Sequence, residues 1–270
     1  LKGDRFFYVN PLASDGKHHR QAFYACSCCP PNINRLLPTI GEYIYSVGSS
    51  EIAVHLYIQS EANIDFQDDS VTILQQTDYP WDGIVCLQIK TERPCAFTLK
   101  LRKPGWCRDG RLYLNNTLIS QAGINASGYL SLTRTWQPGD QIRLQWVMPA
   151  TRVYAHPDVL AVVGKVALMR GPLVYCLEAI DQKVPLHHLR LSSETGFDSQ
   201  YEPDLLGGVV SLQGTASAVE VNRWGEGLYQ QKPPQVKPVP FKAIPYYAWD
   251  NRDPGEMSVW LPEETKRFSG

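Results

Sequence analysis

From residue 45 to about 149 apolar side chains fall on every second position, and this period commits the stretch to β structure. Val71 and Ile73 alternate with polar neighbours, as do Val85, Leu87 and Ile89, then Phe97, Leu99 and Leu101. The same holds for Leu112 and Leu114, for Leu130 and Leu132, and for Ile142, Leu144 and Trp146. Residues two apart share a face of a strand, so each run buries one side and wets the other. Turn signals separate the runs: Asp82-Gly83, Pro104-Gly105, Asp109-Gly110, Asn115-Asn116, Ser127-Gly128 and Pro138-Gly139-Asp140. Short strands at spacings of roughly ten residues predict a jelly-roll-like antiparallel β-sandwich over residues 46–149.

A second β-rich region, residues 150–270, follows. Residues 159–168 are nearly all apolar, and Arg170-Gly171-Pro172 leads into the strand pattern Leu173-Val174-Tyr175-Cys176-Leu177. The proline-rich segment 230–240 reads as an extended connector. Residues 241–248 and 257–261 then supply closing strands, which predicts a smaller second sandwich. The fold class expected is mainly β: two consecutive antiparallel modules after a mixed segment, residues 1–45.

That first segment holds the one helix stripe. Phe6-Phe7-Tyr8-Val9 reads as a strand ended by Asn10-Pro11, and a polar loop with His18 and His19 follows. Beyond Cys26-Ser27-Cys28-Cys29-Pro30-Pro31, the residues Ile33, Leu36, Leu37, Ile40 and Ile44 recur at helical spacing. Paired prolines suit a helix start, where a missing N–H costs nothing. Pro38 predicts a kink, or a regular helix that begins only near Leu37. The chain opens on Leu1 without a signal-peptide pattern and runs at once into a strand, so it is expected to be part of something longer.

Charge narrows the function. With 26 basic and 27 acidic residues the formal charge is −1, and no basic stripe forms, which argues against nucleic acid. No run of 18 apolar residues occurs, so no helical membrane span is expected. The 14 Tyr and 7 Trp are amphipathic rings of the kind that line sugar-binding surfaces.

Seven cysteines do not form a secreted disulfide framework. Cys86, Cys95 and Cys176 lie in apolar strand patterns and read as small buried hydrophobes, with Cys107 incidental at a turn. The cluster Cys26, Cys28 and Cys29 stands apart, at the mouth of a helix. It admits a soft-metal site, a nucleophilic thiol, or inert thiols. No second Cys or His cluster at metal spacing follows, and the adjacent His18 and His19 point in different directions. No pair of carboxylates stands out by spacing. Asp250 and Glu256, with Tyr246, Tyr247, Trp249, Asn251 and Arg252, line a sugar surface or dock one part of the chain on another.

Cys28-Cys29-Pro30-Pro31-Asn32-Ile33-Asn34-Arg35, followed by Tyr43-Ile44-Tyr45, resembles glycoside hydrolase family 127, the β-L-arabinofuranosidase family. Phe6-Phe7-Tyr8-Val9-Asn10-Pro11-Leu12, Arg170-Gly171-Pro172-Leu173-Val174-Tyr175 and the run from Ile244 to Arg252 resemble the same family in order and spacing. The resemblance implies a zinc-dependent retaining hydrolase whose (α/α)6 barrel is represented here only by its last strand-loop-helix piece. It implies Cys28 as nucleophile and zinc ligand and Cys29 as zinc ligand. The other two ligands, a Glu and a Cys, and the general acid/base Glu find no match in this sequence. The implied substrate is an arabinofuranoside-containing oligosaccharide or glycoconjugate.

Two functional readings follow. In the first the chain is the C-terminal part of such an enzyme, inactive without the barrel segment. In the second it is a non-catalytic β module that binds carbohydrate or supports assembly. An exposed apolar face that would meet the barrel predicts self-association, with a homodimer the simplest form. A reactive thiol pair favours a reducing compartment, which points to the cytoplasm.

Overall fold

The computed structural model describes residues 1–26, 28–67, 69–120 and 128–264; of the turn signal at Ser127-Gly128, Ser127 lies outside them. The chain divides into two compact units, Cys26–Met148 and Leu1–Ala25 with Pro149–Gly270. Among the described residues no helix is long and apolar enough to cross a membrane.

The unit Cys26–Met148 begins with the helix Cys29–Thr39, which passes into a 3-10 turn, Ile40–Tyr43. Pro30 and Pro31 occupy the first turn, where backbone N–H groups have no helical partner. The helix starts at Cys29, not near Leu37. Pro38 lies one residue from its end, so its missing N–H falls where the helix is already tightening. The Thr39 hydroxyl donates to the Arg35 and Leu36 carbonyls across that last turn.

Two sheets follow. The first runs in the order Tyr129–Trp136, Cys95–Arg102, Glu51–Val54 and Tyr45–Val47. The second runs Ser60–Phe66, Asp69–Thr77, Ile84–Thr91, Gln141–Trp146, Gly110–Leu114 and Thr117–Ser120. Their apolar faces share one core: Ile52, Leu99, Leu101 and Trp136 from the first sheet cluster with Val71, Ile73, Leu87 and Ile142 from the second. These side chains are almost fully buried, each burial stabilising by about 1.5–3 kcal/mol. The alternation read from sequence thus marks the inner face strand by strand. The pairing is not wholly antiparallel as expected, because Glu51–Val54 runs parallel to Cys95–Arg102. Glu51–Val54 is reached by a tight hairpin from Tyr45–Val47, and its other edge takes Cys95–Arg102, a strand more than 40 residues on that no hairpin joins to it.

Gly83 shows how closely this core is built. A Cβ on it would stand 2.0 Å from the Trp146 carbonyl oxygen, while the Gly83 carbonyl accepts from the Trp146 N–H at 2.9 Å. Gly83→Ala must therefore push two paired backbones apart, and an overpacking loss of about 1–3 kcal/mol in urea denaturation is expected. A variant as stable as the parent would show that the bend relaxes freely.

In the other unit the expected second sandwich is, by its hydrogen bonding, one continuous ten-stranded sheet. Leu173–Glu178 pairs both with Val236–Pro245 and with Lys165–Arg170. Val209–Val219, Leu189–Ser192 and Leu261–Glu264 complete a ring of six strands. Leu189–Ser192 and Leu261–Glu264 are parallel, a second departure from the antiparallel expectation. Closure removes exposed strand edges and encloses Leu168, Tyr175, Leu191, Leu212 and Phe241 as a filled interior. Ala13–Ser14 adds to the ring's margin by pairing with Met257–Ser258.

Candidate active site at the three-cysteine helix entrance

Cys28 is the N-cap of the helix and Cys29 its first residue, so both sulfurs stand at the positive end of eleven aligned peptide dipoles. Cys28 Sγ lies 3.2 Å from Cys26 Sγ and 3.6 Å from Cys29 Sγ. Cys28 and Cys29 are exposed and Cys26 is half-buried. The local sequence explains the grouping. The helix fixes the Cys28–Cys29 step, and the two prolines fix the backbone that leads away from it.

The remaining thiols are of another kind. Cys95, Cys107 and Cys176 are buried, and burial pushes each thiol up, Cys176 most strongly. They serve packing, as the strand positions of Cys95 and Cys176 predict; Cys107 does so from a turn, and Cys86, expected to be buried, is half-buried because it lies on the outward side of its strand.

Three thiols are the donor type a soft metal prefers, but a closed zinc site needs four ligands. Among the described residues no group of three or more His, Cys, Asp or Glu side chains is placed to hold a metal ion. The donor chemistry fits zinc and the donor number does not.

The helix stripe has the opposite environment from the one a stripe usually finds. No residue of Cys29–Thr39 is buried, and Ile33, Leu36, Leu37 and Tyr43 are each exposed by half or more. An apolar face of this size lies open beside the cysteines.

His18 and His19 do diverge. His18 Nε2 hydrogen-bonds the Val9 carbonyl at 2.9 Å, and its ring stacks on Phe7. His19 Nδ1 meets the Asp250 carboxylate at 2.9 Å. The aromatic and acidic segment at 246–256 docks the chain on itself. Trp249 is buried with its ring stacked on Phe7 at 4.4 Å, and Asp250 accepts from the Arg20 backbone N–H at 2.6 Å. The Asp250 N–H in turn donates to Glu178 at 2.8 Å. Arg252 forks between Glu178 and Asp181, and Glu256 accepts from the Leu186 N–H at 3.3 Å. Burial lowers the Arg252 guanidinium, but the hydrogen bonds it donates to the Asp181 and Glu178 carboxylates outweigh this and hold it above its usual range. Glu178 was invisible in the sequence. Its one local signal is an acid at the end of the apolar run Leu173-Val174-Tyr175-Cys176-Leu177.

Three family profiles match this chain in succession. Residues 1–42 match the beta-L-arabinofuranosidase GH127 catalytic domain, 51–148 the GH127 middle domain, and 150–262 the glycoside hydrolase family 127 C-terminal domain. A non-reducing end beta-L-arabinofuranosidase of Bifidobacterium longum subsp. longum is 32% identical, over 96% of this chain and 42% of its own length. Among solved structures, a GH127 beta-L-arabinofuranosidase from Geobacillus stearothermophilus T6 superposes with a TM-score of 0.91 at 44% identity, over 97% of this chain and 43% of that one. A second GH127 beta-arabinofuranosidase gives 0.88 at 34% identity, over 97% and 42%. The chain spans less than half the length of each of these relatives.

Proposed function

The chain belongs to glycoside hydrolase family 127, and on that premise we propose that it supplies the nucleophile and the two β modules of a retaining hydrolase acting on β-L-arabinofuranosides. One observation carries the reading. The segment that matches the catalytic-domain profile ends in a helix whose N-cap thiol, Cys28, is exposed and flanked by two further sulfurs. Residues 1–45 are then the last strand-loop-helix piece of an (α/α)6 barrel, and the open helix stripe is the face that meets the rest of it.

In this reading the Cys28 sulfur attacks the anomeric carbon. The bond from that carbon to the leaving oxygen breaks, and the oxygen departs with the electron pair. Water then attacks that carbon from the opposite face, the carbon–sulfur bond breaks with its electron pair returning to the Cys28 sulfur, the water's extra proton passes to solvent, and the starting configuration is restored. Cys28 and Cys29 would hold a zinc ion only with further ligands that find no match in this sequence, and an ion so held would supply a sulfur that is already deprotonated. The leaving oxygen normally needs a carboxylic acid to protonate it, and the sequence offers no match to that acid.

A leaving group that needs no proton isolates the step assigned to Cys28. With reduced chain and 2,4-dinitrophenyl β-L-arabinofuranoside, one equivalent of dinitrophenolate is expected with one sugar on the Cys28 peptide by mass spectrometry. Label on another residue, or none on Cys28, overturns the assignment.

A further inference from the structure

We propose that the outer face of the six-stranded sheet, remote in its chemistry from the cysteines, binds a neutral oligosaccharide. Register places two rungs of side chains beside each other there. One runs Leu74, Gln88, Gln141 across three strands, and the next runs Gln76, Cys86, Arg143, Tyr113 across four. Their members Leu74, Gln76, Cys86, Gln88, Gln141 and Arg143 line an open cavity of about 260 Å³, bounded at one side by Asn116 from the adjoining turn.

The polar groups of this cavity are unused by the fold. Among the described residues, the side chains of Gln76, Gln88, Asn116, Gln141 and Arg143 make no hydrogen bond to another protein group. The guanidinium of Arg143 sits over the Tyr113 ring, its carbon 3.9 Å from the centroid, a contact that leaves its N–H donors unoccupied. Four amides and one guanidinium thus converge on one concave space.

That composition selects a ligand class. An amide donates and accepts side by side, which matches vicinal hydroxyls that do the same. A phosphate or sulfate would call for several cations, and Arg143 is the one charged lining residue. A peptide helix would call for a continuous apolar groove, whereas Leu74, Leu87 and Ile142 stand here among four amides and an arginine. A sugar ring with its alternating hydroxyl edge and C–H face fits amides beside one aliphatic side chain.

The test is calorimetric titration of the whole chain with arabinotriose and xylotriose, with inorganic phosphate and a galacturonic acid trimer as anionic arms. A neutral trisaccharide is expected to bind saturably, and Arg143→Ala and Gln88→Ala each to weaken it about tenfold or more. Gln141→Ala, at an exposed position, repeats the test with least risk to folding, and unchanged thermal melts qualify all three variants. Cys28→Ser should leave the affinity unchanged, which separates this site from the proposed nucleophile. The proposal is overturned by no saturation with either neutral sugar, by equal binding in all variants, by loss in Cys28→Ser, or by preference for the anions.

Discussion

Cys28→Ser is expected to slow dinitrophenolate release from the activated arabinofuranoside by at least about 10³-fold, with no sugar left on the protein. A serine hydroxyl has the same reach, but oxygen is a far weaker nucleophile here than sulfur. Cys28 and Cys29 are exposed, so neither substitution opens a cavity, and melting should be unchanged. Cys29→Ser provides the contrast. In the proposed reading Cys29 would meet the metal and not the sugar, so its loss should slow release less and leave the label on Cys28. Release followed by absorbance decides the matter: equal rates for wild type and Cys28→Ser would remove Cys28 from the chemistry.

The second large effect concerns stability. Glu178 is buried at the end of its strand, accepts from the Asp250 N–H at 2.8 Å, and is paired with Arg252. Arg252 also meets Asp181 at 2.5 Å, and its side chain is 17% exposed. Glu178→Ala leaves a largely buried guanidinium half-paired and a backbone donor without its acceptor. Breaking a buried pair from one side costs about 3–5 kcal/mol, and a loss of that size is expected in urea denaturation followed by tryptophan fluorescence. Trp249, stacked against Phe7 beside this network, is the natural reporter. Glu178→Gln keeps an acceptor for the Asp250 N–H and should lose less. The Glu178→Ala, Arg252→Ala pair should lose less than the sum of its parts, since neither charge is then left alone. Strict additivity would mean that the two groups are independently solvated.

Much of the larger architecture was readable because it is written at short range. A half-buried strand shows its period within five residues, so Val71 and Ile73, or Leu87 and Ile89, announce their inner face before any partner is known. The helix start was equally local, with Pro30 and Pro31 behind the thiols. The same alternation held a second message on its polar half. Gln76, Gln88 and Gln141 are the outward positions of strands whose inward residues were easy to assign. Nothing in any one strand says that three amides meet, because their meeting depends on register between strands, one of which, Gln141–Trp146, is distant in sequence.

The cysteine cluster and the β character of the chain are therefore properties of the sequence itself: adjacent thiols stay adjacent in any fold, and period two imposes a strand. Tertiary structure alone decided the rest. The ring closes because Leu173–Glu178 has two edges that seek partners, and residues 165–170 and 236–245 satisfy both. Asp250 and Glu256 became anchors rather than an open surface because Arg20, Glu178 and Leu186 arrive from distant segments to satisfy them. Hydrogen bonds between residues separated by 70 to 230 positions leave no periodic trace in sequence, since only the folded backbone brings donor and acceptor within reach.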